Sequence, residues 1–341
     1  MTIPPIRHSL IDVHAHYVTD GYLTAAIEAG YQKPDGMPGW PQFSVNDQLA
    51  MMDRLGIARA VLSISSPGVH FGDDHSARRL AAEVNDFGAS LVADHPDRFG
   101  LFASLPLPDL EGALAEARRA LDHLGAVGVI IETTAGGHYV SDAVFRPLLD
   151  ELDRRGAVVM IHPTSPACSP PLVSDPPPPM LEFLFESTRT VADLVLTGAL
   201  EHHPNLNVVI PHGGAMLPLV ADRIEQFRAL FGHDAQDGPS VRELLSTLWY
   251  DMAGLPFPVQ IPALAQIVGV DHLLYGSDST FTPEPVIARQ IRSIDEADAH
   301  PDHPGWRELT TINAERLFGR ELRTTNVPAE RRPDQEVRNY G

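Results

Sequence analysis

Eight short runs rich in valine, isoleucine and leucine recur along the chain, each followed by a longer stretch, and this alternation constrains the fold more than any other feature. The runs are SLIDV, RAVLSI, FGLFASL, GVII, AVVMI, NVVI, LWYDM and HLLY. Between them lie NDQLAMMDRLG, ARRLAAEVNDFGASLVADH, LEGALAEARRALDHLG, FRPLLDELDRRG, TRTVADLVLTGALEHH and MLPLVADRIEQFRALFG, with apolar residues three and four apart, the spacing of a helix with one buried face. Gly56, Gly125 and Gly156 close three of these segments, where a residue without Cβ adopts the left-handed cap most easily. Strand and helix in strict alternation give a parallel sheet. Eight such units match a closed (β/α)8 TIM barrel of the α/β class more closely than an open doubly wound sheet. No G-x-G-x-x-G follows the first run, and the only lysine in the 341 residues, Lys33, does not stand in a phosphate-binding loop. The expectation is one domain over residues 1–321 with loop insertions, followed by a polar tail at 322–341. One insertion is the proline-rich segment 163–179, in which missing amide donors and fixed φ exclude helix and central strand.

With 45 acidic against 25 basic residues, a net charge of -20 speaks against nucleic acid and anionic membrane surfaces as partners and favours a small molecule. No run approaches the roughly 20 apolar residues of a membrane span. The single cysteine, Cys168, allows no intramolecular disulfide, and the opening MTIPPIRHSL lacks the apolar core of a signal peptide, so cytoplasm is the expected compartment.

The first run ends in IDVHAHYV. Residues two apart in a strand face the same way, so His14 and His16 are expected to share a face, with Val13 and Ala15 on the other. At the C-terminal mouth of a barrel, two imidazoles can hold one metal ion at about 2.0–2.1 Å per nitrogen. Other runs end in suitable groups: His162 after AVVMI, His212 after NVVI and Asp278 after HLLY. Singly, each has a plain explanation as a loop histidine, a helix-start residue or a turn residue. Together, on strands one, five, six and eight, they converge on one mouth.

The segments IDVHAHY, VMIHPTSP, VIPHGGAMLPLVADRIE and LLYGSDSTFTPEP resemble the amidohydrolase superfamily, and within it the decarboxylase branch around aminocarboxymuconate-semialdehyde decarboxylase. The similarity runs from residue 10 to about residue 320, and the pattern of 6-methylsalicylate decarboxylases is nearest. The resemblance implies that His14, His16, His162 and Asp278 ligate one divalent metal, with His212 beside it as a catalytic residue and Asp278 as the proton carrier. Zinc is the first expectation from the HxH form and manganese the second. The implied reaction is nonoxidative loss of CO2 from a hydroxylated aromatic acid after protonation of the ring carbon. The alternatives are a hydrolase of a lactone or amide, or a hydratase, using metal-activated water; a noncatalytic metal-binding barrel is a third reading.

Many relatives bridge two metals with a carbamylated lysine on the fourth strand, which a chain whose sole lysine is Lys33 excludes. Glu132 ends that strand, either as a bridging carboxylate or as part of a polar wall. Arg223 lies eleven residues after His212, the spacing at which a relative supplies a substrate-binding arginine across a dimer interface. It is either that residue, in a homodimer or dimer of dimers, or a surface arginine paired with Asp222 or Glu225. Trp40 and Tyr17 are candidate aromatic walls for the substrate, and Arg189 and Asp251 are lesser candidates. Phe183, Phe185 and Phe281 read as core.

Overall fold

The eight apolar runs become eight strands in a computed structural model that describes residues 9–167, 174–231, 238–301 and 305–319. They are β1 (Leu10–His16), β2 (Ile57–Ser63), β3 (Phe99–Ser104), β4 (Gly128–Glu132), β5 (Val158–His162), β6 (Asn207–Ile210), β7 (Trp249–Asp251) and β8 (Leu273–Leu274). Every neighbouring pair from β1 to β8 is parallel and follows chain order. Parallel bridges from Asp12 to Tyr275 and from Ala15 to Ser279 close the barrel.

Twelve α-helices among the described residues accompany the strands: α1 (Asp20–Glu28), α2 (Val45–Leu55), α3 (Asp74–Asp94), α4 (Leu110–His123), α5 (Arg146–Arg154), α6 (Glu182–Leu196), α7 (Ala199–His202), α8 (Leu217–Phe231), α9 (Val241–Ser246), α10 (Ile261–Val268), α11 (Glu284–Glu296) and α12 (Trp306–Phe318). Gly56 caps α2 at φ 71° and ψ 38°, its N–H bonded to the Met52 carbonyl, while Gly125 and Gly156 also have positive φ. The stretch from Thr188 to His203, expected as one helix, is broken at Gly198, whose φ of 70° ends α6 and starts α7. No helix among the described residues is long and apolar enough to cross a membrane.

Two apolar layers result. Ile11, Val13, Val61, Phe102, Met160 and Val209 join residues from the remaining strands to fill the barrel, and Ala314 and Phe318 of α12 pack against them. The larger layer lies between the strands and the surrounding helices. Strand β1 departs from the expected strict alternation. Val13 packs inside with Ile11, yet His14 and His16 also turn towards the other imidazoles at the mouth, because the register shifts between Asp12 and Ala15. Such an irregularity re-aims side chains at a strand end.

In the proline-rich segment, Pro178–Met180 makes a short 3-10 turn; Cys168 and the rest of 168–173 lie outside the described residues, as does the tail at 322–341.

Candidate metal centre at the barrel mouth

One nitrogen from each of His14, His16 and His162 and one oxygen of Asp278 all lie within 4.8 Å of one another. The three histidines are buried to 2% exposure or less. In His14 and His16 a partner on Nδ1 aims Nε2 inward. His14 Nδ1 lies 2.9 Å from Asp251 Oδ2, and His16 Nδ1 lies 3.0 Å from Ser63 Oγ. His162 Nδ1 has Glu132 Oε2 at 3.6 Å, and neither buried atom has a hydrogen-bond partner. His14 and His16 therefore each have a carboxylate or hydroxyl bonded behind them, the arrangement that fixes the tautomer and orientation of a metal-binding histidine, while His162 has the Glu132 carboxyl nearby without a hydrogen bond.

Asp278 stands on a loop of unusual backbone conformation. Its φ is 59°, its N–H donates to the His14 carbonyl at 2.7 Å, and its Oδ1 lies 3.3 Å from His16 Nε2 and 3.6 Å from His14 Nε2. His212, at φ 56°, donates its backbone N–H to Asp251 Oδ1 at 3.0 Å and puts Nε2 3.7 Å from Asp278 Oδ2. Asp251 thus ties the β1 and β6 ends together.

The electrostatics suit a cation. Burial, then the neighbouring imidazoles, hold His162 well below its ordinary pKa and therefore neutral. Burial disfavours the Asp278 carboxylate, but hydrogen bonds from His16 and His212 outweigh it and keep the group well below the usual carboxylate range. Burial pulls His14 down, yet the charge and hydrogen bond of Asp251 raise it to about 9. His14 Nε2 and His16 Nε2 face each other at 3.0 Å, a separation at which two lone pairs repel unless a proton or cation lies between them. A metal takes neutral imidazoles and an ionised carboxylate: His162 and Asp278 are already in those states, a bound ion would displace the proton that Asp251 holds on His14, and the four residues can hold one ion.

Larger hollows exist, one of about 630 Å³ beside Phe257 and Trp306, but the cavity bounded by His162, His212 and Asp278 measures about 370 Å³. Met37, Phe183, Leu184, Leu255 and Phe281 give it apolar walls, and Asp35, Ser65, Gln260 and Thr282 add polar atoms. Pockets of this size and mixed lining take small organic ligands.

Several expectations need correction. Tyr17 follows His16 but faces the opposite layer: it is fully buried against Phe43 and Phe87, and its hydroxyl donates to the Val84 carbonyl at 2.8 Å. Trp40 stands one layer back, packed on Phe281 and Tyr22 with its indole N–H on the Tyr31 carbonyl. Phe281 and Phe183, read as core, line the cavity, whereas Phe185 is 37% exposed. Arg189 pairs with Glu186 and lines a neighbouring cavity. Arg223 is exposed on α8 with its guanidinium over the Phe227 ring, and the anticipated partners are engaged elsewhere: Asp222 with Arg242 and Glu225 with the Val241 N–H. Within one chain it does not line this cavity. Glu132 lies behind His162 and outside the four-residue group. Ser63 and Asp35 escaped the sequence reading; a serine ending a strand beside an HxH strand was the one available signal for the former.

A family model described as amidohydrolase matches residues 11–320. The chain is 34% identical over 322 residues to a 6-methylsalicylic acid decarboxylase of Aspergillus aculeatus, covering 91% of this chain and 96% of the relative. It is 32% identical to a 6-methylsalicylic acid decarboxylase of Penicillium expansum over 82% of this chain and 87% of that protein. A crystal structure of an amidohydrolase II superposes with a TM-score of 0.84 at 35% identity, covering 91% of this chain and 99% of the other. A 5-carboxyvanillate decarboxylase of Novosphingobium aromaticivorans, crystallised with manganese, shares the fold at a TM-score of 0.80 and 22% identity, over 92% and 97% of the two chains.

Proposed function

Because the chain belongs to the amidohydrolase family, we propose that it is a metal-dependent carboxy-lyase that removes CO2 without oxidation from a hydroxylated aromatic acid of the 6-methylsalicylate or hydroxybenzoate type. The observation that carries this reading is the set of three imidazoles and one carboxylate opening onto a cavity of about 370 Å³ with aromatic and aliphatic walls. The whole-length likeness to two 6-methylsalicylic acid decarboxylases supports the substrate class.

His14, His16, His162 and Asp278 hold the ion, which when bound supplies positive charge for the substrate carboxylate and an adjacent oxygen. The nitrogen-rich donor set favours zinc; manganese accepts the same atoms. The other steps belong to the protein. Phe183 and Phe281 flank the ring and exclude water from the carbon to be protonated. Asp278, at the edge of both the four-residue group and the cavity, is ionised in the free site; it is protonated through His212 once substrate is bound and then delivers that proton to the ring carbon that bears the carboxylate. That carbon becomes tetrahedral, the C–C bond breaks, its electron pair restores the aromatic ring and CO2 leaves. His212, with Nε2 3.7 Å from Asp278 Oδ2, relays the replacement proton.

The test is CO2 release from 6-methylsalicylate and a panel of hydroxybenzoates by protein of measured metal content, beside His14→Ala and Asp278→Asn proteins. Release that requires both residues, stops on chelation and returns with zinc or manganese is the expected result. Bound metal with no CO2 from any acid would replace this reading with hydrolysis or hydration by metal-activated water.

A further inference from the structure

The cavity beside the candidate metal centre has an unusual charge balance. Its lining contains neither arginine nor lysine among the described residues; the ionisable groups are His162, His212, Asp278 and Asp35. The first three belong to the catalytic cluster. Asp35 does not, and no step described above uses it.

Asp35 is built into place. It sits in the 3-10 turn Pro34–Gly36 after α1 with φ 48° and ψ 36°, left-handed values that a residue with Cβ adopts at some cost. Its Oδ1 accepts hydrogen bonds from the hydroxyls of Ser66, at 3.1 Å, and Ser165. Ser66 follows β2 and is itself 2.8 Å from Thr164 Oγ1, while Ser165 follows β5. Three loops of the mouth therefore converge to hold one carboxyl against the cavity. Burial raises this carboxyl above its ordinary pKa, partly offset by the two serines, so a further anion beside it is unwelcome.

We infer that Asp35 is a specificity-determining residue that accepts a hydrogen bond from a ring hydroxyl of the substrate and excludes aromatic acids carrying a second carboxylate. The inference rests on the decarboxylase reading and adds the substrate class: mono-acids with a hydroxyl placed away from the reacting carboxylate. A hydroxyl donating to a carboxylate forms a charge-assisted hydrogen bond. A second carboxylate in the same position meets the Asp35 carboxylate where this chain contributes neither arginine nor lysine to the lining, which is discrimination by repulsion as well as by attraction.

The experiment measures both binding by calorimetry and CO2 release for three probes, 2-hydroxybenzoate, a dihydroxybenzoate series and 4-hydroxyisophthalate, which keeps a hydroxyl beside one carboxylate, with metal-loaded wild type, Asp35→Asn and Asp35→Ser. Asparagine keeps a carbonyl oxygen for Ser66 and Ser165, and metal content and thermal melting verify that each variant is folded. Wild type is expected to prefer at least one dihydroxybenzoate over 2-hydroxybenzoate by about 10- to 100-fold and to reject the diacid. Both variants should lose most of the hydroxyl preference and bind the diacid at least about tenfold more tightly than wild type does. Equal binding of mono-acid and diacid by wild type, or unchanged preferences in both variants, overturns the role of Asp35. Asp35-dependent preferences in binding without CO2 from any probe would leave Asp35 standing and remove the decarboxylase reading; CO2 release with unchanged preferences does the reverse.

Discussion

Asp251 carries more of the candidate centre than any residue outside the four. One carboxylate oxygen takes His14 Nδ1 and the other accepts the backbone N–H groups of His212 and Ala253. Replacing it with asparagine leaves a weaker acceptor for the imidazole, so Asp251→Asn is expected to lower metal affinity by about 10- to 100-fold with the fold intact, measured by competition with a chromophoric chelator. Unchanged affinity would mean that the β7 carboxylate only braces the backbone. The residue was visible in the sequence as the aspartate of LWYDM, but its two-sided role was not, since the atoms it joins are 237 and 39 positions away. Tyr17 shows the converse: adjacency to His16 suggested a substrate contact, and the pleat of the strand sends its ring to the opposite layer.

At the scale of elements, the site depends on how closely strand ends approach. A Cβ added to Gly276, just after β8, would stand 2.8 Å from His14 Cβ and 2.9 Å from Asp251 Cγ. Gly276→Ala is therefore expected to displace both and weaken metal binding by an order of magnitude or more, while circular dichroism stays unchanged. A separate effect joins α4 to α5. Glu151, with its side chain 13% exposed, is held by Arg118, Arg154 and Arg155, whose hydrogen bonds lower its pKa to about 2. Because the folded value lies below the unfolded one near 4.5, the stabilisation is complete above that pH and disappears as pH falls towards about 2. Glu151→Gln should destabilise by about 1 kcal/mol at pH 7 and converge with wild type in acid melting curves.

At the scale of the molecule, Arg223 poses the assembly question. Exposed on α8, it accompanies Leu219, Leu230 and Phe231, which are 67–74% exposed on the same helix. Apolar side chains of that size on one surface helix suit burial against another subunit. If a second copy brings Arg223 to the substrate, Arg223→Ala and Asp278→Asn proteins, each inactive alone, should regain CO2 release when refolded together, since a mixed dimer contains one intact site. Sedimentation as a dimer without such complementation would confine Arg223 to the surface.

Much of this was local enough to read in one dimension. Apolar runs and helical spacing specify strands and helices through short-range periodicity, and eight alternations leave few parallel topologies; thus the barrel, its eight strands and the His14, His16, His162, His212 and Asp278 strand ends were all legible before any coordinate. What the chain alone did not reveal depends on contacts between distant segments. The register shift on β1 decides which way His14 points, the packing of Phe281 against His16 and Trp40 turns an apparent core residue into a cavity wall, and Ser66 and Ser165 meet at Asp35 across three loops. Periodicity is a property of neighbours in sequence, whereas the electrostatics and shape of a site belong to neighbours in space, which only the closed barrel brings together.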